Sequence, residues 1–454
     1  MPLLVAARTI LEAVNNRSRF VGALSKVRRQ ASYISRVLRN VVVASAVLVM
    51  LSHQLESQAA PGASHAGEPS SCGAAADSSA SPDSLLRPAA PLVPSPPAVR
   101  GLYVNRWAAL GQKMWQLIGV ARTTEINALV IDVKDDRGYV LYKSRVALAR
   151  AIGADTFMPM RAERMRAVLD TMRSHNIYPI ARIVVVKDPL LAEEKVGWSI
   201  KRVDAPDKPW LDKNGNPWLD PHQDDVWRYA ADLACEAVNL GFSEVQLDYV
   251  RFPDEKRLWR EATFPLSAGR PRAQVIRDQI MKTREWIRPL GVPFTVDVFG
   301  LTVSDTTDMG IGQKWESFVD AADAVLPMMY PSHYAPGSYR IAHPNANPYD
   351  IIDRGVKDAK RRSQGIPKAG KIVPWYQDFT LGKPRYGAAE IRAQIKAGYD
   401  NDIMSWILWN PRSVYTLSAL RSDPAGEPAD TSATRRAPSA EQRREPIQPP
   451  LVPR

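Results

Sequence analysis

EVQLDYVRFPDE, residues 244–255, places a carboxylate, Asp248, in the middle of an otherwise apolar run. Read at the two-residue period of a strand, Val245, Leu247 and Tyr249 share one face, while Gln246, Asp248 and Val250 share the other. That split suits a strand with helices on one side and a polar interior on the other. An unpaired carboxylate is costly to bury, so Asp248 is expected to be paired, protonated or functional.

The same parity recurs along the chain. In ALVIDVKDD (128–136), Leu129, Ile131 and Val133 oppose Val130, Asp132 and Lys134; in FTVDVFG (294–300), Phe294, Val296 and Val298 oppose Thr295, Asp297 and Phe299. Three strands therefore carry an aspartate on their inner face. Five further β-rich runs complete a set of eight strands: RGLYVN (100–105), YPIARIVVV (178–186), AVLPMMYP (324–331), KIVPWYQDF (371–379) and MSWILWN (404–410). Helical patterns separate them. In residues 160–176, Met165, Val168, Leu169 and Met172 follow the spacing of a buried stripe. Similar segments lie near 225–241, 272–289, 348–363 and 388–399, with Gly241 and Gly291 where helix stops are expected.

Strands alternating with helices over roughly 320 residues predict an α/β fold, a (β/α)8 TIM barrel spanning residues 99–420. The alternative is an open doubly wound sheet. That sheet would need a glycine-rich phosphate loop after an early strand, and neither RGLYVN nor ALVIDVK is followed by one. In a barrel, chemistry sits at the carboxyl ends of the strands. Those ends hold Tyr103, Asn105 and Arg106; Asp132, Lys134 and Asp135; Lys187 and Asp188; Asp248 and Arg251; Asp297; Tyr330 and His333; Gln377 and Asp378; and Trp409 with Asn410. Carboxylates flanked by aromatics suit a sugar better than a phosphate.

The flanks read differently. Eight Arg or Lys and a single acidic residue, Glu12, fill the first forty positions, followed by the apolar run VVVASAVLVMLS (41–52). The run is shorter than the ~20 residues of a membrane span, and Ser57-Gln58-Ala59 offers a small-x-small cleavage site. Residues 1–59 thus read as an export signal or a short membrane anchor with a basic leader, and the protein is expected to be exported. Residues 60–98, rich in Ala, Ser and Pro, read as a flexible tether, and 421–454 as a disordered tail. Half of the formal charge of +12 sits in the leader. The body lacks a basic run interleaved with aromatics, so nucleic acid is not an expected partner. The charge is compatible with acidic glycans. Of the two cysteines, Cys72 falls in the tether and Cys235 in a helical pattern, where a small core residue rather than a structural bridge is expected. No metal-ligand motif is present, and no metal or cofactor is expected.

Asp248 and Asp297 fall on consecutive strands about 4.8 Å apart, so their carboxyls could flank one scissile bond. Glycoside hydrolysis uses such a pair, one as nucleophile or base and one as the acid that protonates the leaving oxygen. Repulsion between them would raise one pKa, as a proton donor requires. The competing structural role is an internal ion network joining Asp132, Asp248 and Asp297 to Lys134, Arg182 and Arg251. Tyr330 and His333 either contact substrate or cap the strand end. Trp375, Trp406 and Trp409 stack on sugar rings or fill the core. Asp378 either reaches the site or faces the helices.

Seven ordered segments (VRGLYVN, NALVIDVKDDRGYV, EVQLDYVRFP, VDVFG, DAVLPMMYPSHY, VPWYQDF and LWN) resemble a bacterial family named as glycoside hydrolases by relationship, a domain of formally unknown function in the TIM-barrel glycosidase superfamily. The resemblance covers residues 99–410 and implies a barrel acting on carbohydrate. More distantly, the arrangement is similar to that of α-amylases, which would make Asp248 the nucleophile and Asp297 the acid. The chain departs from that pattern in having Asp rather than Glu on the fifth strand, and Gln246 where the amylases carry Arg. Asp132 is then the first substitute acid. The expected function is hydrolysis of an envelope or extracellular polysaccharide by Asp248 and Asp297, with Asp132 held in reserve. Tyr103, Asn105, Lys134, Asp135, Arg251, Tyr330, His333, Trp375, Gln377, Trp409 and Asn410 are the expected substrate-binding residues. The alternative is a non-catalytic glycan-binding barrel tethered at the envelope.

Overall fold

A computed structural model describes residues 91–422. Eight parallel strands follow the apolar runs: β1 Arg100–Val104, β2 Ala128–Lys134, β3 Tyr178–Val184, β4 Glu244–Asp248, β5 Phe294–Phe299, β6 Ala324–Met328, β7 and β8 Trp406–Trp409. Strand β7 comes in two pieces, Lys371–Ile372 and Trp375–Gln377. They part at Pro374, which has no N–H to give a ladder. The first piece pairs with β6 and the second with β8, which pairs in turn with β1. A contact between Trp375 and Met328 closes the ring, which rules out the open sheet.

Side-chain parity divides the apolar core in two. Leu129, Ile131, Val133, Val245, Leu247, Val296 and Val298 pack outward against helix residues such as Met165, Leu169, Met172, Leu233 and Ile276. Ala128, Val130, Ile180, Leu326 and Ile407 fill the interior together with Tyr103, Tyr330 and Trp375. The helices Ala162–Ser174, Asp224–Leu240, Arg272–Ile287, Pro348–Ser363 and Ala388–Tyr399 lie where the periodicity places them. Gly241 ends the second of these at φ 122°, a conformation that costs a Cβ-bearing residue dearly.

Long excursions follow β3 and β4 on the carboxyl-terminal side, joined to each other by an antiparallel pairing of Lys201–Arg202 with Ala262–Thr263. The opposite end is also built over. Val93 joins the interior cluster, and Ser95, Pro96 and Pro97 cover the amino ends of the strands above a cavity of about 350 Å³. Residues 91–98, expected as part of the tether, are therefore part of the packed barrel, and so are Arg421 and Ser422. Arg421 pairs with Glu125 at 2.9 Å, and Ser422 bridges to Thr124. The leader, the rest of the tether and the rest of the tail lie outside the described residues. Cys235, expected as an unbridged core residue, is half-buried and disulfide-bonded. The chain's other cysteine, Cys72, lies outside the described residues.

Candidate active site

The inner faces of β2, β3, β4 and β5 meet at Arg182. Its Nη1 donates to Asp132 Oδ1 and its Nη2 to Asp248 Oδ2, while Nε stands 3.6 Å from Asp297 Oδ2. Register explains the convergence. Asp132 lies opposite Arg182, Arg182 opposite Gln246, and Gln246 opposite Thr295, two residues short of Asp297. One guanidinium thus serves three buried carboxyls. Burial works against its charge, and the three aspartates more than offset this.

The carboxyls are not equivalent. Both oxygens of Asp132 are engaged, one by Arg182 and one by Tyr103 Oη at 2.5 Å. Burial still pushes its pKa up to about 6, against the opposing pull of Arg182 and Tyr103. Asp297 accepts from Gln246 Nε2 at 2.6 Å and Trp375 Nε1 at 2.7 Å, both on Oδ1. Its buried Oδ2 has no hydrogen-bond partner and faces Arg182 Nε at 3.6 Å. Burial, and then the charge of Asp248, hold this carboxyl well above the usual range.

Asp248 is the last residue of β4. Its Oδ1 accepts from the next backbone N–H, that of Tyr249, at 2.5 Å. Tyr249 has φ 54°, a strained setting for a bulky residue, and it turns the chain so that Arg251 folds back over the barrel mouth. The result is a cleft of about 560 Å³ whose wall includes Arg182, Asp248, Arg251, Phe299, Tyr330, His333, Trp375 and Trp409. Tyr330 stacks on Trp409 with ring centroids 5.2 Å apart, and Phe379 meets Trp409 edge-on at 5.1 Å. Burial lowers the pKa of His333, which favours the neutral imidazole. Aromatic faces beside carboxylates suit the apolar faces and hydroxyls of a sugar.

Asp297 has no exposed surface and, unlike Asp248, is not part of the cleft wall. The two carboxyls therefore do not flank the cleft as a pair. Five other expected substrate contacts have local structural duties. A bulge after Asp132 shifts the register so that Lys134 lies opposite Ile183 and leaves the interior. It is buried under Tyr229, donating to Val184 O at 2.6 Å and pairing with Asp188 at 2.8 Å. Asp135 accepts from the backbone of Arg137 and Tyr139 and so shapes its own turn. Asn105 caps the helix Arg106–Leu110. The Gln377 side chain is spent on Ser332 N and Phe379 O while its backbone bonds Gln394, and Asn410 is spent on Asp378 O and Arg412 N. Asp378 turns away to Thr416, and Trp406 sits in the outer core. Arg182 and Gln246 are site residues outside the expected set, although both lie on the inner parity of β3 and β4.

A closed parallel barrel with clustered carboxyls and an aromatic cleft at its carboxyl-terminal mouth defines a protein of the TIM-barrel glycosidase class. The chain belongs to the family described as "putative glycosyl hydrolase domain", which matches residues 101–415. A hypothetical protein from Ruminiclostridium thermocellum is 35% identical over 43% of this chain and 97% of its own, with a TM-score of 0.39. The PgaB (BpsB) glycoside hydrolase domain from Bordetella bronchiseptica is similar in fold, at 15% identity over 70% of this chain and 95% of its own, with a TM-score of 0.53. A chitobiase from Flavobacterium johnsoniae is 12% identical, covering 71% and 47% of the two chains, with a TM-score of 0.47. No curated protein matches the sequence.

Proposed function

We propose that the protein is an exported hydrolase of O-glycosidic bonds in an envelope or extracellular polysaccharide, with Asp248 as the carboxyl that meets the substrate. The observation that carries this reading is the unequal pair on β4 and β5. Asp248, at the cleft surface, is held by two donors, Arg182 and the Tyr249 N–H, as a carboxylate requires. Asp297, fully buried, has a carboxyl that burial and the charge of Asp248 hold well above the usual range. A carboxylate at the cleft is what glycosidic cleavage uses as nucleophile or base. Asp248 fills that role, and Asp297, without exposed surface of its own, acts on it through charge. Arg182 and Gln246 position the two carboxyls.

Export is supported by the basic leader with its apolar run and by the disulfide at Cys235, since such bonds persist in oxidising compartments. Fractionation of cells would test it, and a cytosolic pool of full-length chain would refute it. Among the described residues no helix is long and apolar enough to cross a membrane.

Reducing-end release by the purified full chain and by Asp248→Asn, across neutral, amino-sugar and acidic polysaccharides, tests the hydrolase reading. Release by the parent alone, with glycan binding kept in the variant, supports it. The sealed position of Asp297 favours a second reading, a glycan-binding barrel without turnover. That reading takes over if both proteins bind glycan and neither releases reducing ends.

A further inference from the structure

We propose that Arg251 makes the cleft a site for an acidic glycan, receiving the carboxylate of a uronic acid residue beside the position held by Asp248. The proposal rests on the reading of the cleft as a glycan site and is independent of turnover. Arg251 is buried, 8% exposed, yet among the described residues it forms no ion pair. Its hydrogen bond among the described residues runs from Nη1 to the backbone carbonyl of Phe252 at 2.9 Å. The Nε and Nη2 edge therefore has no acceptor among those residues. Arg251 is part of the cleft wall.

A buried charge without a counter-ion is costly, and the cost persists unless a bound group repays it. The side chain is also held rigid. Its guanidinium lies over Phe299 at 4.5 Å, Tyr249 at 4.9 Å and Trp218 at 5.2 Å from the ring centroids. Three rings around one cation fix its plane, so little freedom is lost when a ligand docks. The acidic neighbours compensate it only in part, since burial outweighs the pull of Tyr249, Asp248 and Asp254. Asp248 is committed to Arg182, and Asp254 and Asp305 line the cleft without reaching ion-pair distance of Arg251.

The open Nε and Nη2 edge presents two parallel N–H groups, the arrangement that grips a carboxylate side-on. Asp254 and Asp305 also bias the choice of anion. Their charges repel a phosphate dianion more strongly than a singly charged carboxylate. A neutral hydroxyl would satisfy the donors without repaying the charge.

The test compares oligogalacturonates and oligoglucuronates with their methyl esters, which keep the sugar and remove the charge, by calorimetric titration of the full chain. The parent is expected to bind at least one acid series about tenfold or more tightly than its ester, as befits a charge-assisted pair. In Arg251→Met that ratio should fall to near one. Arg251→Lys, which keeps the charge and loses the fork, should retain part of it, and added salt should reduce it in the parent. Equal binding of acid and ester by the parent, discrimination that survives in Arg251→Met, or no binding of any acid would overturn the proposal. Tighter binding of a phosphorylated sugar would overturn the carboxylate assignment. Absence of hydrolysis, with Arg251-dependent uronate binding intact, would refute the hydrolase reading alone.

Discussion

Trp375 donates its indole N–H to Oδ1 of Asp297 across the barrel interior at 2.7 Å, and 78 residues of chain separate the two. Replacing the indole in Trp375→Phe keeps an aromatic ring and removes one of the two donors on a buried carboxyl. A loss of about 1–3 kcal/mol is expected, the cost of a buried acceptor left short of a partner. Urea unfolding at neutral pH measures it. An unchanged midpoint would mean that the bond adds nothing to the barrel.

Arg182→Met leaves Asp132, Asp248 and Asp297 without their shared cation. Breaking a buried ion pair from one side costs about 3–5 kcal/mol. The loss should depend on pH, because carboxyls that can no longer pair with a cation are tolerated only when protonated. Thermal unfolding is therefore expected to show a larger penalty at pH 8 than at pH 5. Equal penalties at both would argue against an electrostatic role for Arg182.

The parent protein has its own acid dependence. Burial raises Asp132 from 3.8 to about 6 and Glu244 from 4.5 to about 7. Both groups hold protons in the folded chain at pH values where the unfolded chain has lost them. Their contribution is therefore full below the unfolded values and declines as pH rises through about 6 and about 7. Glu244→Gln, which can keep the hydrogen bond with Thr295, should flatten the upper part of that decline in urea midpoints measured from pH 4 to 8. A parent protein whose midpoint rises across this window would contradict the assignment.

Lys134→Met separates the structural duty of Lys134 from a substrate contact. With Asp188 left buried and unpaired, stability should fall by about 3–5 kcal/mol. Affinity for glycan should stay as it is below the unfolding temperature. Weakened glycan binding in a folded Lys134→Met protein would return this lysine to the cleft.

The barrel was legible because its signal is periodic. Asp132, Asp248 and Asp297 sit on the inner parity of three strands, and the structure keeps them inside. Expectation and structure part where parity stops carrying information. A single bulge after Asp132 sends Lys134 to the other side of the sheet, and nothing in the letters KDD announces it. Asn105, Asp135, Gln377 and Asn410 are polar residues at strand ends, where backbone N–H and carbonyl groups compete with substrate for the same side chains. Sequence alone gives no basis for choosing between the two. The sequence places Arg182 in a structural network. In the structure it is both that network's centre and a wall of the cleft, because one long side chain spans the interior of a narrow barrel.

The packing of residues 91–98 against the amino ends of the strands has a spatial consequence. The described chain begins at the end of the barrel opposite the cleft, and it finishes there too, with Ser422 beside Thr124. Both ends of the described chain therefore lie at the rear, and the mouth faces away from them. A long ligand could lie across the mouth without meeting either end.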